Sequence, residues 1–300
     1  MIKKGLVSKI QHFSLGDGPG IRTTVFMQGC NLRCSWCHNP ETIKTKSVLL
    51  CYPVKCSLCG LCAKVCPKGA ISFKDGKRTI DENLCNFCGT CENLCPNDAI
   101  LLSGKEKTAD EVFDEIMKDA DFYPGSNGGV TFSGGEPLLQ ADFCAEVSQK
   151  CKEQNIHVLV DTAGCVPYAN FEKILPYCDM FYFDLKASNN KDFEKACGGN
   201  FDLVTDNLKK LASVSNVIVR MPIIPGYNDN TEYIEACAEI LADTDVKRVD
   251  LIPFHRLGSS KYHALGLDYV CDNIKPPQAE EMEKLMDIMK NSGIDCRVEK

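Results

Sequence analysis

Cysteine spacing constrains this chain more than any other feature. Twenty of the 300 residues are cysteine. Eleven of them form three tight sets: Cys30, Cys34 and Cys37; Cys56, Cys59, Cys62 and Cys66; Cys85, Cys88, Cys91 and Cys95. Cys51 lies between the sets and joins none, and the other eight, scattered singly, read as core or surface thiols. So many cysteines would suit a secreted, disulfide-stapled chain. Residues 1–9, however, mix lysines with short apolar pieces and lack the apolar core of a signal peptide. The expectation is a reducing, cytoplasmic setting, where dense cysteines act as metal ligands.

The second and third sets are copies of one another at a constant offset of 29 residues, each followed by Pro (Pro67, Pro96) and then by Ala-Ile (Ala70-Ile71, Ala99-Ile100). Cysteines two residues apart rarely reach disulfide geometry, and zinc ribbons use pairs rather than runs of four. The run C-x2-C-x2-C-x3-C-P, twice, is the pattern of bacterial two-cluster ferredoxins, in which the fourth cysteine serves the other cluster. Cys56, Cys59, Cys62 and Cys95 are therefore expected to hold one [4Fe–4S] cluster, and Cys85, Cys88, Cys91 and Cys66 a second. The first set differs. Cys30-x3-Cys34-x2-Cys37 supplies three thiolates on one loop, enough for three irons of a third cubane while the fourth iron stays open to a ligand. A structural zinc site would need a fourth donor, such as His38.

Outside residues 48–103, β-rich runs alternate with amphipathic helical stretches. Strands are expected at 23–27, 129–132, 157–160, 180–184, 217–220 and 249–251, and helices at 108–119, 139–154, 168–175, 191–196, 202–212, 231–242 and 277–292. This alternation implies an α/β fold with a parallel sheet: a partial (βα)6 TIM-type barrel. Residues 1–47 begin it, 48–103 form an inserted ferredoxin-like domain, and 104–300 complete it. Functional residues are expected at the carboxyl ends of the strands. The net charge of −7 argues against a broad nucleic-acid surface, and no apolar run is long enough to span a membrane.

Two segments carry a more specific resemblance. Gly29-Cys30-Asn31-Leu32-Arg33-Cys34-Ser35-Trp36-Cys37-His38-Asn39-Pro40-Glu41, preceded by Asp17-Gly18-Pro19-Gly20-Ile21-Arg22-Thr23, resembles the glycyl-radical-enzyme activating enzymes of the radical S-adenosylmethionine (SAM) superfamily. The resemblance implies an oxidoreductase. SAM chelates the open iron held by Cys30, Cys34 and Cys37, and one electron splits it into methionine and a 5′-deoxyadenosyl radical. That radical takes hydrogen from a backbone glycine of a partner glycyl radical enzyme under anaerobic conditions. The alternative is a radical SAM enzyme acting on a small molecule, against which the 17–22 segment argues.

The same resemblance places SAM beside Trp36, Cys37 and His38. It brings the amino group to Gly134-Gly135-Glu136, where glycines let backbone approach a ligand. It brings the carboxylate to Lys186, a compact point charge, within Asp184-Leu185-Lys186. It adds Asp161, Arg220 and His255 to the contacts. It assigns Asp161, Thr162, Asp184 and the Tyr182 carbonyl to Na⁺ or K⁺, and Asp17, Gly18, Pro19 and Gly20 to the incoming glycine loop. The inserted clusters would relay electrons from a flavodoxin or ferredoxin.

Overall fold

A computed structural model describes residues 3–299; the first two residues, part of the stretch read for a leader, and the last residue lie outside it. Thirteen strands are present among the described residues. β1 (Lys4–Ser14) and β2 (Arg22–Met27) open the chain. β3 (Val48–Cys51), β4 (Ile71–Lys74), β5 (Lys77–Ile80), β6 (Ile100–Ser103) and β7 (Lys105–Thr108) follow. Then come β8 (Gly129–Gly134), β9 (His157–Thr162), β10 (Met180–Asp184), β11 (Val217–Ile223), β12 (Arg248–Pro253) and β13 (Asp295–Val298).

Nine strands form one sheet in the order β13-β12-β11-β10-β9-β8-β2-β1-β7. β2 and β8 to β13 run parallel, while β1 and β7 extend the edge antiparallel. The parallel part thus holds seven strands rather than the six expected. The additional one, β13, returns to the sheet after the helix Ala279–Asn291 and pairs with β12. Its four residues, Asp-Cys-Arg-Val, carry too little apolar content to read as a strand alone.

Side-chain alternation explains what this sheet encloses. Parallel strands covered on both faces are usually apolar throughout. Here one set of alternate residues is apolar and fully buried: Phe132 on β8, Val160 on β9, Phe181 and Phe183 on β10, Val219 and Met221 on β11. Helices cover that face. Their starts are set by side-chain caps: Thr108 with Glu111 forms a capping box, and Asn189, Asn200 and Asn230 accept from amides of the next turn. The other set starts apolar, with Leu159, Tyr182 and Ile218 packed together low on the strands. It turns polar toward the carboxyl ends, at Ser133, Asp161, Asp184 and Arg220.

Between β2 and β7 the chain departs from the sheet. β3 and β6 pair antiparallel, Val48 opposite Ser103 and Cys51 opposite Ile100, as a two-stranded neck. Beyond it stand the β4–β5 hairpin and two short helices, Leu61–Lys64 and Thr90–Asn93. A small separate core of Cys62, Ile71, Cys91 and Ile100 holds this part together. The neck is tied down by Gln28, fully buried at the end of β2. Its amide donates to the Glu41 and Lys44 carbonyls at 2.7 and 2.9 Å and accepts from Ser103 Oγ at 2.7 Å.

Candidate active site

The carboxyl ends of the parallel strands enclose a cavity of about 820 Å³, within the range of small-molecule sites. Its wall takes in Cys30, Cys34, Cys37, Trp36 and His38 from the loop after β2, Gly134 and Gly135 after β8, and Asp161 and Thr162 on β9. Asp184 and Lys186, Arg220, and His255 complete it from β10, β11 and β12, and Asp17 and Gly18 reach it from the β1–β2 connection. Of the residues expected here, Glu136, Leu185, Tyr182, Pro19 and Gly20 are not on the wall.

Each exception has a physical reason. Glu136 is fully buried behind the wall. Its carboxylate accepts from Thr162 Oγ1 at 2.8 Å, the Ala163 amide at 2.9 Å and the Leu138 amide at 3.1 Å. Leu185 is packed in the apolar core. Tyr182 lies mid-strand between Asp161 and Ile218, so its carbonyl belongs to the ladder. Gly20 packs against the Ser126–Gly128 backbone, and the Pro19 carbonyl accepts from Arg22 Nη1 at 3.1 Å.

The loop carrying the first cysteine set is held by backbone. Arg33 N–H donates to the Cys197 carbonyl at 2.7 Å and Ser35 N–H to the Ala196 carbonyl at 3.0 Å, using the free end of the helix Asn190–Cys197. Gly135 and Glu136 amides donate to the Met27 and Gly29 carbonyls at 2.9 and 2.8 Å. A Cβ on Gly135 would lie 2.2 Å from the Gly29 oxygen, and one on Gly134, whose φ is 109°, would lie 2.5 Å from the Met27 nitrogen. The glycine pair is thus required by the neighbouring strand end, not by a ligand alone. Lys261 Nζ grips Asn39 Oδ1 at 2.7 Å and Glu41 Oε1 at 2.6 Å.

Every cysteine is free of disulfides. Burial pushes the Cys30 and Cys37 thiols up to about 12, so unliganded they hold their protons at neutral pH. A metal would have to ionise them and release those protons. Three soft donors on one loop, with the Leu32 amide 3.4 Å from Cys30 Sγ, fit an iron–sulfur cluster by donor chemistry.

Opposite the cysteines, charges are paired. Lys186 contacts Asp184 directly. Burial would lower its pKa, but Asp184 and the nearby cysteines hold it above the usual lysine range. Arg220 lies 3.5 Å from Asp161 Oδ2 and 3.4 Å from Glu299 Oε2, over the Tyr182 ring. Burial pushes the Asp161 carboxyl up to about 6, against the pull of Arg220. Asp161 Oδ2 accepts from Ser133 Oγ at 2.8 Å, while Oδ1 is buried without a partner. His38 and His255 stack with ring centroids 4.0 Å apart, and burial lowers the His38 pKa to about 4, so the pair is neutral.

Sequence reasoning missed Ser133, Asn39 and Glu299, all on the wall. Asn39 sat inside a segment already singled out, Ser133 directly precedes the glycine pair, and Glu299 follows the unrecognised β13. It also missed how Arg22 stakes the 17–20 segment: its Nε donates to Thr131 Oγ1 at 2.6 Å, and Thr131 Oγ1 donates to the Asp17 carbonyl at 2.7 Å.

A second, smaller cavity lies in the part beyond the neck. Cys56, Cys59, Cys62 and Cys95 all line it, with Phe73 and Arg78. Three belong to one repeat and one to the other. The repeat is also written in the backbone, because Leu58 and Phe87, 29 residues apart, take the same left-handed conformation at φ 57° and 53°. Equivalent amides point at sulfur: Ala70 to Cys66 and Ala99 to Cys95, both at 3.3 Å.

Comparison with known proteins places the chain in a family. Residues 82–238 match the family model for the Radical SAM superfamily, and residues 55–99 match the 4Fe-4S dicluster domain. The loop at 30–37 lies outside both matched spans. The chain is 37% identical to an indoleacetate decarboxylase activating enzyme from Tractidigestivibacter scatoligenes, covering 98% of this chain and 96% of the relative. It is also 37% identical to a (2S)-3-sulfopropanediol dehydratase activating enzyme from Klebsiella oxytoca, with the same coverage. A radical SAM methyltransferase from Sphaerobacter thermophilus, 17% identical, shares the fold with a TM-score of 0.53 over 72% of this chain and 62% of its own.

Proposed function

The chain belongs to the glycyl-radical-enzyme activating enzymes of the radical SAM superfamily, and from that membership we propose how its own residues divide the work. The enzyme cleaves SAM reductively and generates a radical on a partner glycyl radical enzyme. In our reading Cys30, Cys34 and Cys37 hold the [4Fe–4S] cluster that, when bound, supplies the electron for that cleavage. Lys186, kept protonated by Asp184, receives the methionine carboxylate. Gly134 and Gly135 present backbone to the amino group, and the stacked His38–His255 pair offers an apolar, uncharged wall to the adenosine. Asp17 and Gly18 meet the partner's glycine loop. The lone Asp161 Oδ1 and the Asp184 carboxylate fit Na⁺ or K⁺. The Thr162 hydroxyl, given to Glu136, and the Tyr182 carbonyl, within the ladder, drop out of that set.

Residues 48–103 act as an inserted unit with two further [4Fe–4S] clusters, ligated crosswise as the sequence pattern suggests. A flavodoxin or ferredoxin donates electrons to it, in the cytoplasm. Among the described residues no helix is long and apolar enough to cross a membrane. Relatives at similar identity are named as activating enzymes for a decarboxylase, a dehydratase and a sulfite-lyase, and their common partner class is a glycyl radical enzyme.

The observation that carries the reading is one cavity joining three free thiols, an Asp–Lys pair and the 16–18 segment. Its test is anaerobic reconstitution, reduction and addition of SAM with candidate decarboxylase and dehydratase partners. A glycyl radical resonance is expected with the true partner, and Cys34→Ala should abolish 5′-deoxyadenosine formation. Undiminished turnover in that variant would overturn the assignment.

A further inference from the structure

The two cysteine repeats share spacing and backbone but not charge. Residues 52–80 carry Lys55, Lys64, Lys68, Lys74, Lys77 and Arg78 against a single acidic residue, Asp75. Residues 81–99 carry Asp81, Glu82, Glu92 and Asp98 and no basic residue. A cubane with four thiolates has the same charge in either half, so lysines needed only to balance it would appear in both.

The two sets of charges are also used differently. Glu82 is paired with Lys44 and Lys46, and Glu92 with Lys105, all from outside the repeats. The five lysines of the first half are exposed, and none has a carboxylate partner among the described residues. Arg78 alone turns inward, to the Ala99 carbonyl at 2.6 Å. In the same half, Val54 is 96% exposed and Leu58 49% exposed, on either side of Cys56 in the chain, and Cys59 itself is exposed. Exposed apolar side chains and like charges without carboxylate partners, in the same half as a prospective cluster ligand, are the ingredients of a transient interface.

We propose that the exposed lysines of this half, Lys55, Lys64 and Lys68, together with Val54 and Leu58, dock a small acidic one-electron carrier protein. The inference rests on the two-cluster reading of residues 48–103. The rest of the chain is acidic enough to bring the net charge to −7, so an acidic carrier is repelled elsewhere and steered here. One electron passes from the reduced carrier to the inserted unit; the carrier is oxidised, and no proton or group moves.

The test uses the reconstituted full-length enzyme and follows SAM-dependent 5′-deoxyadenosine formation. Electrons come either from a reduced acidic ferredoxin or from photoreduced 5-deazaflavin, a neutral small molecule. The triple variant K55E/K64E/K68E should lose about tenfold or more of the ferredoxin-driven rate at low salt. The deazaflavin-driven rate should be unchanged, and the wild-type ferredoxin rate should fall as salt is raised. The control K209E/K210E, on the remote helix Phe201–Ala212, should leave both rates alone. Equal loss with both reductants, or no loss with ferredoxin, overturns the docking face. Iron content separates this from the premise: a wild-type chain lacking the inserted clusters removes the two-cluster reading itself.

Discussion

At the residue scale, Glu136 shows how a motif can be legible and its task hidden. Its place in Gly134-Gly135-Glu136 is plain from sequence, and the resemblance turned the segment toward the methionine amino group. The structure instead seals the carboxylate behind the wall, where it locks Thr162 and Ala163 at the end of β9. Burial pushes its pKa up to about 7 from an ordinary 4.5. Between those values the folded chain keeps a proton that the unfolded chain has released. Stability therefore falls as pH rises through this window, by up to about 1.4 kcal/mol per pH unit from this group, and is level above it. Urea titrations between pH 5 and 7.5 should show that slope in the wild type and a shallower one in Glu136→Gln. An unchanged slope would exclude Glu136 as its source.

At the scale of elements, the cysteine loop is positioned by strand ends and one helix terminus rather than by its own sequence. Gly135→Ala would drive a methyl into the Gly29 carbonyl, backbone against backbone, with no side chain free to yield. The expected cost is roughly 2–4 kcal/mol, with loss of iron from the 30–37 loop and retention of iron in residues 48–103, read by iron analysis and denaturation. Gln28→Leu would leave the Glu41 and Lys44 carbonyls without their amide donor and Ser103 Oγ with Ser8 alone. We expect a destabilisation of about 2–4 kcal/mol, measured by urea unfolding; a loss under about 0.5 kcal/mol would show that the neck does not depend on it. Helices were readable because a 3.6-residue apolar period and Asn or Thr caps are local features. β7 and β13 were not, because short edge strands take their register from neighbours distant in the chain.

At the scale of the whole molecule, the inserted part enters and leaves at one point. Ser47 Oγ donates to the Gly104 carbonyl at 2.6 Å, so a short glycine–serine bridge should replace residues 48–103 without opening the sheet. The shortened chain should fold, bind about four irons rather than about twelve, and still cleave SAM with a small-molecule reductant. Failure to fold would show that residues 48–103 are part of the core. The sequence by itself determined the cysteine spacing, the internal repeat and the strand–helix alternation. Spacing along the chain controls which thiolates share a loop, and periodicity controls which face is apolar. Only the tertiary structure decided that the inner face turns polar at its carboxyl end, that Glu299 returns to pair Arg220, and that Asp161 keeps one oxygen without a partner. Those outcomes depend on parallel register and on burial, which bring together residues as far apart as Arg220 and Glu299.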